Sequence, residues 1–223
     1  MPKKKQARAP SRRAAKPRAT SKAASDDRIS APVDRAKATI RQLRRELAQA
    51  RERIEQLQAT ADMDFLLGIF NRRGFERELN RVIAYIQRYR ASAALSVLDV
   101  DRLKPINDIF GHAAGDQVLK TIAATVARQV RASDAVGRLG GDEFGLLLWN
   151  LSETDAKAKA ALLEEAVDQL SFEFEGQTVR AGASAGVAIL NAHAEARRAL
   201  EEADRAMYVR KAQRRHEESA TSA

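Results

Sequence analysis

Residues 137–149, GRLGGDEFGLLLW, set two glycines and two adjacent acids between apolar runs. A β-hairpin needs only a turn and alternating side chains, so Asp142 and Glu143 require a reason of their own. With Gly140 and Gly141 at the tip, where glycine tolerates the positive φ of a turn, the two acids fall at the solvent end of a sheet and not in its middle. Upstream, LDVD places Asp99 at the end of another apolar strand, a position where sheets often carry their ligands. Asp99, Asp142 and Glu143 would then converge from two strand ends. Three carboxylates in one place repel unless a cation neutralises them; hard oxygen donors suit Mg²⁺ or Mn²⁺, and such a metal points to a phosphate substrate. The competing reading is that acids at hairpin tips are ordinary solvated turn residues, and that consecutive strand side chains point to opposite faces. The pattern alone leaves both open.

Outward from this hairpin, helical and strand periods mix. GFERELNRVIAYIQRYR repeats apolar residues at helical spacing, ASAALSVLDV is a short apolar strand, and GDQVLKTIAATVARQV is helical. TDAKAKAALLEEAVDQL reads as a helix, FEFEGQTVRAGASAGVAIL as a second hairpin turning at EGQT, and AEARRALEEADRAMYVRKAQRR as a closing helix. These make a mixed α/β domain whose central sheet is covered by helices.

A chain of 223 residues with 44% hydrophobic content is long enough for one domain with appendages. It has no cysteine, which excludes disulfides, thiolate metal sites and a cysteine nucleophile, and suits the cytoplasm. Its longest apolar runs fall far short of the roughly 18 residues of a membrane span, and no apolar segment follows the basic N-terminus as a secretory signal would require. The net charge of +9 is local: nine bases precede the first acid, Asp26, and beyond them 30 bases face 30 acids. Residues 1–31 are therefore expected as a disordered basic tail, either a solvated leader or a contact to nucleic acid or anionic membrane lipid.

From Val33 to Ala61 the pattern changes. Val33, Ala36, Ile40, Leu43, Leu47, Ala50, Ile54, Leu57 and Ala61 recur at alternating spacings of three and four. Such a heptad seam favours a left-handed, parallel dimeric coiled coil; spacing alone leaves open a lone amphipathic helix lying on the domain, although that packing usually needs a wider apolar stripe than these charged outer faces leave. Residues 32–62 are expected as a dimerisation helix, residues 63–216 as the globular domain and 217–223 as a disordered tail.

The ordered set DFLLGIFNRRGF, LDVDRLKPINDIFGHAAGDQVL, RASDAVGRLGGDEF, SAGVA and EEADRAMYVRKAQRR resembles the GGDEF family, the diguanylate cyclases, over residues 62 to about 215. The resemblance implies an α/β fold of the nucleotidyl cyclase and polymerase palm kind, and condensation of two GTP into cyclic di-GMP with release of two pyrophosphates. It implies metal ligation by Asp99, Glu143 and the backbone carbonyl of Val100, with Asp142 serving the metal and the reacting phosphate. About two Mg²⁺ or Mn²⁺ per active site would be held there. Gly140 and Gly141 would let the nucleotide approach backbone that a Cβ would block.

By the same resemblance Asn107 and Asp116 read guanine. A carboxylate can accept from both N1–H and the 2-amino group of guanine, whereas adenine offers an acceptor at N1 and no 2-amino group. Read by themselves these two residues are ordinary helix-end residues. Lys104, Lys211 and Arg215 match residues that hold the β- and γ-phosphates, Lys104 within the catalytic set. Arg131 and Asp134, in RASD, match an inhibitory site that binds the product. His112 falls where the family commonly has histidine and reads as structural.

Several positions depart from the pattern: Leu67 replaces a threonine, Leu103 a phenylalanine, Ala185 an isoleucine and Arg214 a glycine. None removes a metal or guanine contact. Because each domain would hold one GTP, the 3′-hydroxyl of one must attack the α-phosphate of the other, and the coiled coil gains a purpose in raising the effective concentration of the second domain. Input would come from an unseen regulatory partner, from oligomeric state or from product. Two further readings remain: a catalytically weak cyclic di-GMP receptor acting through Arg131 and Asp134, and a nucleic-acid-binding protein driven by the tail.

Overall fold

The computed structural model describes the backbone of residues 23–221 and the side chains of residues 35–54, 56 and 61–217. The chain divides into two compact units, residues 1–55 and 56–223. Helix α1, Ala23–Ala61, makes up the described part of the first and runs into the second. Ile40, Leu43, Leu47 and Ile54 are exposed along it; the side chains of Val33 and Leu57 lie outside the described residues. The helix starts before the expected boundary at residue 32, so residues 23–31 are helical and not part of a disordered tail. Residues 1–22, on which the tail expectations rest, lie outside the described residues.

In the second unit, β1 (Ala93–Asp101) is flanked by β3 (Glu143–Trp149) and β6 (Gly182–Leu190), with β2 (Ala135–Arg138) beyond β3. All pairings are antiparallel. The two-residue period of the strands sorts the core into two layers. Ala94, Leu98 and Val100 pack with Leu103 and Ile106 of α3 (Leu103–Phe110), Val118 and Ile122 of α4 (His112–Gln129), and Leu163 of α5 (Glu153–Asp168). Ala93, Leu95 and Val97 pack on the other face with Phe75, Leu79 and Ile86 of α2 (Arg72–Tyr89) and with Ala199, Ala203 and Met207 of α6 (Ala196–Thr221). Asp99 and Asp101 continue the second set, so period and register together aim them toward α6.

The FEFEGQTVRAGASAGVAIL segment is not one hairpin. β4 (Ser171–Phe174) and β5 (Gln177–Arg180) form a separate ribbon, and the chain then breaks at Ala181 and enters the central sheet as β6. Burial decides this: β6 is a nearly continuous apolar run suited to a sheet covered by helices, whereas β5 is mostly exposed. The closing helix also continues to Thr221, so residues 217–221 are helical and not a disordered tail. An ion pair from Arg210 Nη1 to Glu217 Oε1, 3.7 Å, joins the extension to the helix body.

The segment entering the domain is clamped. Asp62 is buried and ion-paired with Arg73, 3.1 Å, and with Arg77, both of α2. Phe70 hydrogen-bonds β2 from both sides, its N–H donating to Val136 and its carbonyl accepting from Arg138. Asn71 caps α2 by accepting from the Gly74 N–H at 3.0 Å.

Candidate functional site

Asp99 and Glu143 are register partners across β1 and β3, at the open end of the sheet. Cross-strand neighbours share a face, so the two carboxylates stand side by side without being adjacent in sequence. The conflict expected for consecutive strand residues is met by separation: Asp142 lies in the turn and lines a cavity of about 390 Å³, while Glu143 opens on a second cleft of about 270 Å³ with Arg72 and Asp204. The Val100 N–H donates to the Asp142 carbonyl at 3.0 Å and ties β1 to the tip.

Neither Gly140 nor Gly141 has positive φ; in this domain that conformation belongs to turns such as Gly176, at φ +77°. The need at Gly140 is space, since a Cβ there would lie 2.7 Å from Glu143 Oε2. Open space surrounds the same position on Gly141. Arg138 holds the tip from below, donating from Nε to the Gly140 carbonyl at 3.0 Å and from Nη2 to the Gly141 carbonyl at 2.7 Å, and pairing with Asp64 at 3.3 Å.

The larger cavity is lined by Val100, Asp101, Arg102, Lys104, Asp142, Lys211, Arg214 and Arg215. Val100, Lys104, Asp142, Lys211 and Arg215 are thus brought together as the sequence suggests. Lys211, on α6, touches the Asp99 carboxylate and stands 3.6 Å from Asp101. Burial pushes Asp99 above the ordinary carboxylate range; Lys211 opposes this, and Asp142 and Asp101 add to it. Burial likewise raises Glu143, reinforced by Asp99, Asp204 and Asp142 and countered by Arg72. Lys211 loses by burial but is held above its usual range by its contact with Asp99 and the charge of Asp101. Both members of the pair are raised, and contact with two carboxylates keeps the ammonium charged.

Among the described residues, no three acids or histidines already stand as a ligand cage. The donor set nevertheless fits a hard divalent cation. Asp99 and Glu143 are partly desolvated acids facing each other, Asp142 adjoins them, and the Lys211 ammonium is a stand-in cation on Asp99.

Asn107 on α3 packs against Gly115 of α4, the neighbour in sequence of Asp116, so closely that a Cβ on Gly115 would overlap the Asn107 amide oxygen. That oxygen is buried and has no hydrogen-bond partner. An orphaned acceptor of this kind costs about 1–3 kcal/mol unless a donor reaches it. Arg131 and Asp134 lie apart, beside a cavity of about 210 Å³. They close a turn: Asp134 Oδ2 accepts from the Arg131 backbone N–H at 2.9 Å, and Oδ1 from the Trp149 backbone N–H at 3.0 Å. His112 is exposed at the start of α4.

Sequence reasoning passed over Asp101, Gly115, Arg138 and Asp204. The signal for Asp101 was the strand period from Asp99, and for Gly115 its place beside Asp116. Arg138 and Asp204 gave none. Arg214, noted only as a departure from glycine, is an ion-pair hub. It binds Asp168 at 2.7 and 2.8 Å and reaches Asp101 and Glu164 at 3.7 Å.

A family model described as "Diguanylate cyclase, GGDEF domain" matches residues 61–217, and the chain belongs to that family. It is 37% identical over 168 residues to the probable diguanylate cyclase DgcE of Escherichia coli K12, covering 74% of this chain and 15% of that protein. With the diguanylate cyclase TpbB of Pseudomonas aeruginosa (strain UCBPP-PA14) it shares 41% identity over 157 residues, 70% of this chain and 36% of that one. The chain thus spans little more than a third of these relatives at most. The crystal structure of the coiled coil and GGDEF domain of DgcB from Caulobacter crescentus, in complex with c-di-GMP, superposes with TM-score 0.68 at 25% identity. That match covers 83% of this chain and 95% of that one. No helix among the described residues is long and apolar enough to cross a membrane.

Proposed function

We propose that the chain is a cytoplasmic diguanylate cyclase that condenses two GTP into cyclic di-GMP and releases two pyrophosphates, works as a homodimer, and is inhibited by its product at Arg131 and Asp134. The observation that carries this reading is the pairing of Asp99 with Glu143 beside a cavity bearing Lys104, Lys211 and Arg215. Each half-reaction forms one bond from a 3′-oxygen to an α-phosphorus, breaks the α–β phosphoanhydride and gives up the hydroxyl proton. Lys104, Lys211 and Arg215 bind the β- and γ-phosphates as point charges and forks, and Lys211 exchanges Asp99 for phosphate as the substrate enters. Asn107 and Asp116 orient the guanine. Asp99, Asp142, Glu143 and the Val100 carbonyl would hold about two Mg²⁺ or Mn²⁺, which screen the triphosphate and polarise its α-phosphate.

The direct test is incubation of the purified protein with GTP and Mg²⁺ followed by chromatographic separation of nucleotides. Cyclic di-GMP and pyrophosphate in a ratio of one to two are expected. Binding of cyclic di-GMP without any turnover of GTP would establish the alternative, a catalytically weak receptor acting through Arg131 and Asp134.

Asp116→Ala is expected to raise KM for GTP by about one to two orders of magnitude, as for loss of a charge-assisted hydrogen bond worth about 1.5–3 kcal/mol. Gly115→Ala, which forces the Asn107 amide out of place, is expected to move KM in the same direction. Steady-state kinetics with GTP and ATP check both, and equal use of the two nucleotides by the unaltered protein would show that this pair does not read guanine.

A further inference from the structure

Of three tyrosines and one tryptophan in the chain, Tyr85, Tyr89 and Trp149 gather on one surface. Tyr85 packs edge-on against Trp149, with ring centroids 5.3 Å apart, and lies 4.5 Å from the Tyr89 ring. Tyr85 and Tyr89 remain 48% and 56% exposed. The cluster therefore forms a half-open aromatic face, which in a chain with only 5% aromatic residues is a concentrated investment in planar apolar surface.

Trp149 is also a wall shared by two cavities. On one side lies the cavity of about 210 Å³ that includes Arg131 and Asp134. On the other is one of about 400 Å³ that includes Tyr85, Arg81, Ser133 and Asn150. Ser133 belongs to the Arg131–Asp134 turn, and the Trp149 backbone N–H donates to Asp134, so the turn is tied to the strand residue that carries the indole. The smaller cavity falls below the roughly 300–1,000 Å³ of ordinary ligand sites. A ligand gripped by Arg131 is larger than this cavity, and the indole stands at its edge.

We propose that Trp149, braced by Tyr85, is a stacking shelf for a guanine base of the cyclic di-GMP gripped by Arg131 and Asp134. This rests on the product-inhibition reading above and adds a binding residue to it. Arginine supplies a planar fork for phosphate or a guanine edge, the aspartate accepts from guanine donors, and the indole supplies a π-face that any purine can cover. Edge-on contact with Tyr85 holds the indole plane, so stacking loses little side-chain freedom.

Because Trp149 is the only tryptophan, the unmodified full chain carries its own probe. After removal of co-purified product by a cyclic di-GMP phosphodiesterase, titration with cyclic di-GMP is expected to change the tryptophan emission saturably. The midpoint should match that of inhibition, and Arg131→Ala should lose both. Trp149→Leu is expected to weaken inhibition by about tenfold or more, with the initial rate on GTP unchanged, while Trp149→Phe retains most of it. A product that inhibits the unaltered protein without changing its emission, or that inhibits Trp149→Leu with the original dose response, overturns the shelf and leaves the inhibitory site standing. Failure of cyclic di-GMP to bind or inhibit at all overturns both.

Discussion

Glu143→Gln is expected to reduce cyclic di-GMP synthesis by at least about a thousandfold, the scale of the several kcal/mol of charge stabilisation that a bound divalent cation supplies to phosphoryl transfer. The substitution keeps the shape of the side chain and the strand pairing of Glu143 with Asp99. It removes only a negative charge from a position where negative charge is disfavoured. Burial, Asp99, Asp204 and Asp142 raise the Glu143 pKa, so folding takes the ionised acid from a favourable setting to a poorer one. The sign follows: a carboxyl whose proton affinity rises on folding weakens the fold once pH exceeds its ordinary value, and the amide escapes that penalty. Thermal unfolding at neutral pH is therefore expected to occur at the same temperature as in the unaltered protein or a higher one, with turnover lost. A folded Glu143→Gln protein that retains full turnover would remove Glu143 from the site.

The site was only partly legible in the sequence because its parts meet through long-range register. The apolar periods of β1, α2 and α4 were readable because burial acts on each residue through its own strand or helix. The facing of Asp99 and Glu143 depends on the register between strands 44 positions apart in the chain, which no local pattern encodes, and so the acids alone could equally be solvated turn residues. Family resemblance supplied that missing link. The support beneath the acids was still less visible. Arg138, which holds both tip carbonyls and Asp64, looks in sequence like any arginine at a strand end. Gly140 invited a conformational explanation, but its geometry gives a steric one. The error over β5 and β6 had a similar origin, since turn chemistry at EGQT correctly marks a hairpin but cannot say where its second arm leaves for another sheet.

The segment from residue 62 to residue 70 is tied to the site in a way that spacing could not show. Asp62 is fixed to α2, Phe70 is bonded into β2, and Asp64 holds the arginine beneath the hairpin tip. This segment thus bonds to β2 and to the arginine that holds the hairpin tip, and displacing it requires those bonds to rearrange.

Replacing both Leu47 and Ile54 by glutamate is expected to convert a dimer to monomers at micromolar concentration and to make specific activity low and steeply dependent on protein concentration. Ile40, Leu43, Leu47 and Ile54 expose large apolar side chains along α1, a continuous patch that soluble proteins seldom leave in water. A second copy buries it most simply, because the alternating spacing of three and four is the repeat that keeps such a seam facing its partner. Glutamates at two seam positions would oppose like charges across the axis and add their desolvation to the repulsion. In the proposed reaction, one domain with one GTP would lack either the attacking hydroxyl or the attacked phosphate, and a second loaded domain would supply it. Tethering by the helix would make that encounter effectively intramolecular. Removing residues 1–22 is expected to change neither oligomeric state nor turnover, since the seam begins at Val33. Light scattering beside a turnover assay decides the matter: a doubly substituted protein that stays dimeric, or one that is monomeric and fully active when dilute, would overturn the assignment of α1 as the dimerisation helix.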